Sequence, residues 1–252
     1  MTDSGIDFRQ FRQICMQAVN DDNTFKTFKR HPQYTGILEH VSLEQGIQYI
    51  DEIRKNNPQL LEMQYVNQFK LNDLIGSPVT YNFAIGTLSP TILRYVNVLS
   101  QLMTLFKKLD DMTIVEIGAG NGGQCSIISK VFNFKEYILI DLPEVLELQK
   151  KCIGYMKVPR VTYLVEPELD VLVEKEIDLV ISNYALSECP DNIKESYINK
   201  ILLKSKRGYL TMNREDRTKF KVNFLGALSV MHPVVLNETP LTSCENYIIV
   251  WG

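Results

Sequence analysis

The chain has 252 residues, of which 45% are hydrophobic and 23% are charged. These proportions are typical of a soluble globular protein and exclude a disordered or collagen-like chain. The formal net charge of −3 lacks the basic excess of a dedicated nucleic-acid-binding protein, so we expect no nucleic-acid partner. A chain of this length buries a sizeable core as one large domain or as one domain with an extension.

The cysteines and the N-terminus indicate the compartment. Five cysteines lie far apart and form no CxxC pair, which disfavours zinc fingers and disulfide frameworks and favours a reducing compartment. The polar N-terminal segment has no apolar signal core, and no stretch reaches the roughly 18 apolar residues of a membrane span. We therefore expect a soluble, cytoplasmic protein.

The first part of the chain, residues 1–110, is predicted to be helical. Apolar residues recur at helical spacing in residues 8–19. Ser42 and Gln45 form the S-x-x-Q pattern of a capping box at the start of another helix. A proline opens residues 58–76, for which we predict a single helix that ends near a glycine.

A loop and a long helix complete this part. Residues 76–89 are rich in glycine, proline and serine, so they are predicted to form a loop. Ser89 followed by Pro90 is typical of a helix start, and the apolar residues from Ile92 to Phe106 lie on one stripe. We expect this helical part to cap an acceptor pocket or to form a homodimer interface.

From residue 112 onwards, strands and helices alternate. The predicted strands are MTIVEIGAG, EYILID, VTYLVE, IDLVISN, GYLTMN and, at the end of the chain, NYIIVWG. Helices are predicted between the strands, with one over residues 191–204. This alternation predicts a parallel sheet with right-handed crossover connections.

A glycine-rich loop follows the first of these strands. Residues 118–123, GAGNGG, fit G-x-G-x-x-G, and they join a strand to a helix. Glycine allows a sharp turn and the close approach of a ligand to the backbone. Asp141 comes 21 residues after Gly120, at the end of the second strand, where a carboxylate can accept hydrogen bonds from both ribose hydroxyls. The pattern predicts a nucleotide-like cofactor.

Glu116 distinguishes between two such cofactors. A dinucleotide presents a pyrophosphate to the helix N-terminus, whereas S-adenosylmethionine presents an ammonium group. A carboxylate two residues before the first glycine favours the cation. The late position of the glycine loop and the closing strand NYIIVWG also favour S-adenosylmethionine over NAD.

These segments resemble a known family. VEIGAGNGGQCSIISKVFNFKEYILIDLPEVLELQKKC is similar to the class I S-adenosylmethionine-dependent methyltransferases. With HPQYTGILEHVSLEQG, GSPVTYNFAIGTLSPTILRYVNVLSQL, SNYALSE and HPVVLNETPLTSCENYIIVW, the chain resembles the sugar O-methyltransferases of bacterial surface-polysaccharide gene clusters. The resemblance covers most of the chain.

The resemblance implies a Rossmann-like fold, in which a seven-stranded, mostly parallel sheet has an antiparallel last strand. It divides the chain into a helical N-terminal extension, 1–110, and a cofactor-binding methyltransferase domain, 111–252. The implied cofactor contacts are Glu116, Gly118, Ala119, Gly120, Gln124, Asp141, Leu142, Asn183 and Tyr184, with Glu166 a looser match near the adenine. Asn121 replaces the tyrosine-like residue that is usual inside the glycine loop.

Transfer of a methyl group to a sugar hydroxyl benefits from a general base. We consider His232, in the loop before the last strand, and Glu188, after the fourth strand. Each has a simpler explanation: a backbone hydrogen bond for the histidine, and a backbone or arginine partner for the glutamate. Asp191 is better explained as a helix cap, and Asp216 is a further carboxylate near the end of the fifth strand.

The expected acceptor contacts are Tyr81, Ser89 and Arg94, in or beside the loop at 76–89. An arginine can bind a carboxylate or a phosphate, although a surface ion pair is the simpler interpretation. Oxygen ligands from Glu188, Asp191 or Asp216 could hold a divalent cation, but no tight ligand motif is visible and metal independence is the default.

Three alternatives stay open at the level of the sequence. In the first, the protein methylates another small acceptor, such as a phosphorylated metabolite or a natural product. In the second, the glycine loop belongs to an NAD-dependent oxidoreductase, an alternative that Glu116 disfavours. In the third, the chain is a non-catalytic partner subunit, an alternative that the intact glycine loop and Asp141 disfavour.

Overall fold

The computed structural model describes residues 8–213, 222–243 and 245–252. Their contacts group the chain into two compact units. The first unit comprises Met1–Lys108, Gly120–Phe132 and Pro143–Pro159, and the second comprises Leu109–Ala119, Asn133–Leu142 and Arg160–Gly252. The two-domain division at residue 110 stays a prediction.

The first unit is built mainly from helices. They are α1 (Phe8–Asn20), α2 (Asp22–Phe25), α3 (Pro32–Thr35), α4 (Leu43–Asn56), α5 (Met63–Phe69), α6 (Pro90–Phe106), α7 (Gly123–Ser129) and α8 (Pro143–Met156). Short 3-10 turns cover Phe28–Arg30, Pro58–Leu61 and Lys70–Leu74. The predicted capping box is confirmed, because Ser42 Oγ accepts from Gln45 N at 3.1 Å and Gln45 Oε1 accepts from Ser42 N at 2.9 Å.

Helix α6 is the central helix of this unit. Ser89 caps it as predicted, with Oγ accepting a hydrogen bond from Ile92 N at 3.2 Å. The helix is buried on all sides over residues 90–100 and packs against α4 and α7. A helix that is apolar around most of its circumference belongs in an interior, which explains this position.

Two predictions for this unit are wrong. Residues 58–76 do not form one helix, because Glu62 adopts an extended conformation between a 3-10 turn and α5. Residues 76–89 are not wholly a loop, since β1 (Tyr81–Phe83) and β2 (Gly86–Leu88) form an antiparallel hairpin. Gly86, at φ +122°, follows the turn of the hairpin, where a side chain would be strained.

The second unit contains a seven-stranded sheet. Its strands are β3 (Thr113–Ile117), β4 (Glu136–Ile140), β5 (Val161–Leu164), β6 (Leu179–Asn183), β7 (Gly208–Met212), β8 (Val234–Asn237) and β9 (Tyr247–Trp251). The spatial order is β5-β4-β3-β6-β7-β9-β8. Strands β3 to β7 pair in parallel, and β9 pairs antiparallel with both β7 and β8. This arrangement confirms the predicted Rossmann-like methyltransferase fold.

The core of this unit lies on one face of the sheet. Side chains alternate along a strand, so Val115 and Ile117 enter the core, whereas Glu116 lies on the opposite face. The core also contains residues of α9 (Ala185–Glu188), α10 (Asp191–Lys200) and α11 (Phe224–Ala227). Strand β8 was not predicted, because all four of its residues are exposed and give no buried-strand pattern.

Candidate functional site

The carboxyl ends of the parallel strands meet at one edge of the sheet. From β3 the chain proceeds to β4 and β5 on one side, and later to β6 and β7 on the other. The chain order therefore reverses between β3 and β6, and ligands of open α/β sheets bind outside the carboxyl ends at such a switch point. Gly118, Asp141 and Tyr184 each follow the end of a strand at this edge, which we call the carboxyl edge.

Gly118 is the residue at which β3 turns towards the glycine loop. Its φ is +74°, and its N–H donates to Ile140 O at 2.9 Å. A Cβ at this position would lie 2.0 Å from the Cβ of Ala185, the second residue after β6. Both the dihedral angle and the space require glycine here. The next residue, Ala119, is buried.

Glu116 is a buried carboxyl group within β3. Its side chain is 3% exposed, and Oε2 accepts a hydrogen bond from the Tyr137 hydroxyl at 2.7 Å. Burial raises the pKa of Glu116 to about 7; the Tyr137 hydrogen bond opposes this change, and the charge of Asp141 adds to it. A cation placed nearby would favour the ionised form.

Asp141 and Leu142 follow β4. Asp141 Oδ1 accepts from Leu142 N at 2.8 Å, and Asp141 N donates to Leu164 O at 3.4 Å. The Leu142 side chain is 41% exposed, which leaves an apolar surface beside the carboxylate. Glu166 follows β5, and its carboxylate accepts a hydrogen bond from Ser196.

Tyr184 follows β6 in an unusual backbone conformation. Its φ is 69° and its ψ is −35°, values that are rare for an aromatic residue. Its N–H donates to Thr211 O at 2.9 Å, and its carbonyl accepts from Ser187 N at 3.0 Å. Asn183, at the strand end, accepts from Thr211 Oγ1 at 3.3 Å. Strained residues of this kind are concentrated at functional sites.

Glu238 is a further acidic residue at this edge, which the sequence reasoning missed. It is 8% exposed and accepts hydrogen bonds from the Tyr184 hydroxyl and from Thr242 N, the latter at 3.0 Å. Asn237 is in register with Tyr247 and, through it, with Met212, so Glu238 lies beyond the carboxyl ends of the strands. The sequence marks Glu238 only as the first residue of the turn segment ETPLTSCE. The exposed strand β8 that precedes it has no burial pattern that would reveal a strand end there.

The register places His232 at the other edge of the sheet. Val234, the first residue of β8, is in register with Val250 and, through it, with Tyr209 near the start of β7. His232 is exposed, has a φ of 51° and precedes Val234, so it lies at the amino ends of the parallel strands. The structure therefore does not bring His232 to Gly118, Asp141 and Tyr184 at the carboxyl edge, and a general-base role for it stays a sequence-based prediction.

The other carboxylates proposed for chemistry have different surroundings. Glu188 lies at the carboxyl edge, is exposed and accepts from Asn213 Nδ2 at 3.2 Å. Asp191 is not the cap predicted for α10, because it is the first helical residue and Pro190 occupies the cap position. Asp216 lies outside the described residues.

The predicted residues of the first unit make structural contacts. Gly120 O accepts from Gln149 Nε2 at 3.0 Å. Gln124 is 1% exposed and donates through Nε2 to Tyr95 O at 3.1 Å. Asn121, in the same loop, is also 1% exposed, and neither amide atom of its side chain has a hydrogen-bond partner among the described residues. Buried polar atoms are rarely left unbonded, so this amide is suited to a ligand.

The three residues predicted to contact the acceptor differ in burial and in their hydrogen bonds. Ser89 caps α6, and its N–H donates to Asp73 Oδ2 at 2.7 Å. Arg94 is 8% exposed and donates through Nη2 to Leu38 O at 3.2 Å, which disagrees with its interpretation as a surface ion pair. Tyr81 is an exposed residue of β1.

None of the helices in the described part of the chain combines the length and the apolarity needed to cross a membrane. No group of three or more histidine, cysteine, aspartate or glutamate side chains there is arranged to hold a metal ion.

Comparisons with known proteins gave only distant structural similarities. No family model and no curated protein matches the sequence. A Thermoplasma acidophilum protein is 14% identical, with a TM-score of 0.47, over 75% of this chain and 96% of its own. TrmK of M. capricolum in complex with S-adenosylhomocysteine is 16% identical, with a TM-score of 0.45, over 61% and 66%. A precorrin-6y C5,15-methyltransferase of Geobacter metallireducens is 17% identical, with a TM-score of 0.43, over 62% and 87%.

Proposed function

We propose that this protein is an S-adenosylmethionine-dependent O-methyltransferase that acts on a sugar hydroxyl, in a nucleotide sugar or a surface glycan. The observation that carries the proposal is the strand order, in which the antiparallel strand β9 lies between β7 and β8. In addition, the glycine turn at Gly118 lies at the switch point between β3 and β6. Ligands of such sheets bind at this edge.

The residues at the carboxyl edge suit the charge and shape of this cofactor. Glu116 provides a buried carboxyl group for a cation, and Gly118 provides a turn that admits no side chain. The Asp141 carboxylate, just after β4, supports a contact with the ribose hydroxyls, and the exposed Leu142 side chain supports a contact with the adenine. Asn183 and Tyr184 complete the edge; Ala119, Gly120 and Gln124 remain contacts implied by the family resemblance.

The cofactor would supply a methyl group that its sulfonium already activates. The protein then has to align the acceptor hydroxyl and provide a destination for its proton. Hydroxyl, amide and carboxylate groups meet at the carboxyl edge in Asn183, Tyr184, Thr211 and Glu238. Such groups bind polyhydroxylated molecules through hydrogen bonds, which together with the family resemblance favours a sugar over the alternative small acceptors.

The first experiment is a calorimetric titration of the purified protein with S-adenosylhomocysteine, with NAD as a parallel ligand. We expect micromolar affinity for S-adenosylhomocysteine alone. Binding of NAD alone would return the glycine loop to the dehydrogenases and refute the proposal. Binding of neither ligand would favour the non-catalytic alternative.

A matched pair of variants tests the ribose contact in the same titration. Asp141→Ala removes a charged acceptor for two hydroxyls, so we expect S-adenosylhomocysteine to bind roughly 100-fold more weakly. Asp170→Ala alters an exposed carboxylate that pairs with Lys200, and its affinity should stay within about twofold of the wild type. Equal affinities of the two variants would refute the role of Asp141.

A further inference from the structure

A hydrogen-bonded cluster joins the end of β6 to the segment between β8 and β9. The Tyr184 hydroxyl donates to Glu238 Oε1, and Thr242 donates to Glu238 through N at 3.0 Å and through Oγ1 at 2.8 Å. Asn246 Nδ2 donates to Thr242 Oγ1 at 3.0 Å. We propose that Tyr184 Oη takes the proton of the acceptor hydroxyl and that Glu238 is its final destination. This inference rests on the methyltransferase function proposed above.

The hydrogen-bond directions define a path for the proton. Asn246 is a donor to Thr242 Oγ1, and the Thr242 hydroxyl lies 2.8 Å from Glu238 Oε2 and 3.1 Å from Tyr184 Oη, where either hydroxyl can be the donor. The Tyr184 hydroxyl proton is likewise directed to Glu238. A tyrosine oxygen accepts as well as donates, so the oxygen that donates to Glu238 can also accept from an acceptor hydroxyl.

The backbone places Tyr184 close to Gly118, the turn at the end of β3. Tyr184 immediately precedes Ala185, the residue whose Cβ occupies the space beside Gly118. The positive φ of Tyr184 is maintained by its hydrogen bonds to Thr211 and Ser187. Backbone strain of this size costs about 1–3 kcal/mol and persists where the surrounding structure enforces it. The tyrosine is therefore held at the switch point, where the reaction would take place.

The proton balance closes within this pair. The acceptor oxygen forms a bond to the methyl carbon while the bond from carbon to sulfur breaks, and the electron pair of that bond stays on sulfur. The acceptor hydroxyl proton moves to Tyr184 Oη, and the Tyr184 proton moves to the Glu238 carboxylate. The products are a methyl ether, a thioether, a neutral tyrosine and a protonated Glu238. Because the acceptor proton becomes far more acidic as the new bond forms, a carboxylate is a sufficient base.

The two bases proposed from the sequence are less well placed. His232 lies at the amino ends of the strands, away from Tyr184. Glu188 shares the carboxyl edge, but it is exposed to solvent, whereas Glu238 is 8% exposed. A buried acceptor that is already hydrogen-bonded needs little reorganisation during the reaction. Glu238 is thus a positioning residue that acts through Tyr184.

The first test uses the protein without any ligand. Proton NMR should show a slowly exchanging hydroxyl resonance that is lost in Tyr184→Phe. The same resonance should shift upfield in Glu238→Gln, because a neutral amide accepts a weaker hydrogen bond than a carboxylate does. A resonance that is unchanged in Glu238→Gln would show that Tyr184 does not donate to Glu238 and would overturn the inference.

The second test measures methyl transfer to a panel of UDP-linked sugars and methyl glycosides. We expect Tyr184→Phe and Glu238→Gln each to lower kcat by roughly 100-fold or more, with the KM and the affinity for S-adenosylhomocysteine within about threefold of the wild type. The double variant should be no slower than the slower single variant, because both residues act on one proton.

Two control variants separate catalysis from structure. Glu195→Gln makes the same substitution at an exposed residue of α10 and should leave kcat unchanged. Thr242→Val removes the hydroxyl hydrogen bond to Glu238 but keeps the backbone hydrogen bond and the proton acceptor, so its kcat should fall by less than about tenfold. A kcat for Thr242→Val as low as that for Glu238→Gln, with an equal decrease in Tm, would indicate a purely structural cluster and overturn the inference.

The remaining outcomes distinguish this inference from the proposed function. A wild-type protein that does not bind S-adenosylhomocysteine contradicts the function itself. A wild-type protein that binds it but methylates no member of the panel contradicts a hydroxyl acceptor, and with it the proton path. A loss of kcat that occurs in Glu188→Gln instead of Glu238→Gln would assign the proton to the rival carboxylate.

Discussion

The two edges of the seven-stranded sheet differ in how their acidic residues are compensated. At the amino ends of the strands, acidic side chains meet lysines. Lys206 pairs with Asp178 at 2.8 Å and with Glu176, and Lys175 pairs with Glu136. These charges are neutralised within the protein, so this edge is suited to stability more than to ligand binding.

At the carboxyl edge, three acidic residues of the described segments accept hydrogen bonds from neutral donors. Glu116 accepts from a tyrosine hydroxyl, and so does Glu238. Glu188 accepts from the amide of Asn213. Neutral donors hold a carboxylate in place without cancelling its charge, which suits the binding of a cation such as a sulfonium or an ammonium group. The comparison teaches that the two edges hold acidic residues through different donors, lysines at the amino ends and neutral hydroxyl or amide groups at the carboxyl edge.

The strongest test of the carboxyl edge is Gly118→Ala. A left-handed dihedral angle costs a non-glycine residue about 1–2 kcal/mol, and the contact with Ala185 adds strain of similar size, so we expect a loss of about 3 kcal/mol in the free energy of unfolding. S-Adenosylhomocysteine should no longer bind measurably. Chemical denaturation and calorimetry measure the two effects.

The matched control for this variant is Gly154→Ala in α8. A Cβ there would have no atom within 4 Å, so the substitution should stabilise the protein by about 0.5–1 kcal/mol through helix propensity. If both alanine variants were equally stable, the close approach of Gly118 to Ala185 would be refuted.

The next effect concerns the pH dependence of cofactor affinity. Burial raises the pKa of Glu116 to about 7, so this carboxyl group ionises as the pH rises through neutrality. Only the ionised form attracts an ammonium group, and the affinity for S-adenosylhomocysteine should therefore rise roughly five- to tenfold between about pH 6 and about pH 7.5. Isothermal titration at a series of pH values measures this change.

A variant and a second ligand identify the source of that pH dependence. Glu116→Gln keeps the shape of the side chain but does not titrate, so its affinity should be nearly constant over this range. 5′-Methylthioadenosine lacks the ammonium group, and its affinity for the wild type should likewise be constant. A pH dependence that survives in Glu116→Gln would assign the effect to another group.

Substitutions at the amino ends of the strands, which we call the amino edge, should change the stability of the protein and not its affinity for S-adenosylhomocysteine. Asp178 accepts from Thr113 N at 2.9 Å and from Lys206 Nζ at 2.8 Å. Burial alone would raise the pKa of Asp178, but these two partners outweigh it and lower the pKa. Asp178→Ala should therefore cost about 1 kcal/mol of unfolding free energy at neutral pH and leave the affinity for S-adenosylhomocysteine unchanged.

The stability that Asp178 contributes should depend on pH. Because the folded-state pKa of Asp178 is lowered, its contribution is present above the usual aspartate pKa and is lost as the pH falls through the folded-state value. Wild type and Asp178→Ala should consequently converge in stability under acidic conditions. Denaturation curves that stay equally far apart from neutral to acidic pH would contradict an ionic contribution at this edge.

Local signals in the sequence predicted much of the fold. The capping box at Ser42, the cap at Ser89 and the buried strands were recognised because a few neighbouring residues determine them. The hairpin at residues 81–88 and strand β8 were missed because exposed strands show no clear hydrophobic alternation. The predicted positions of Gly118 and Asp141 after strand ends are confirmed, because buried strands and a fixed spacing identify them, whereas their cofactor contacts stay predictions.

The proton acceptor could not be predicted, because it depends on strand register across the sheet. His232 and Glu238 are six residues apart, yet β8 carries one to the amino edge and the other to the carboxyl edge. Neither composition nor spacing reveals the direction of an exposed strand. General-base candidates in such a segment can be chosen only after the sheet is known.

The smallest effect is expected for His232, which makes it the most direct test of the register. His232→Asn removes the imidazole but tolerates the left-handed backbone at φ 51° better than alanine would. Because the histidine lies at the amino edge, the affinity for S-adenosylhomocysteine and the kcat for any methylated sugar should stay within about twofold of the wild type. A loss of roughly 100-fold in kcat with unchanged cofactor affinity would place His232 at the reacting hydroxyl and contradict the assignment of the two edges.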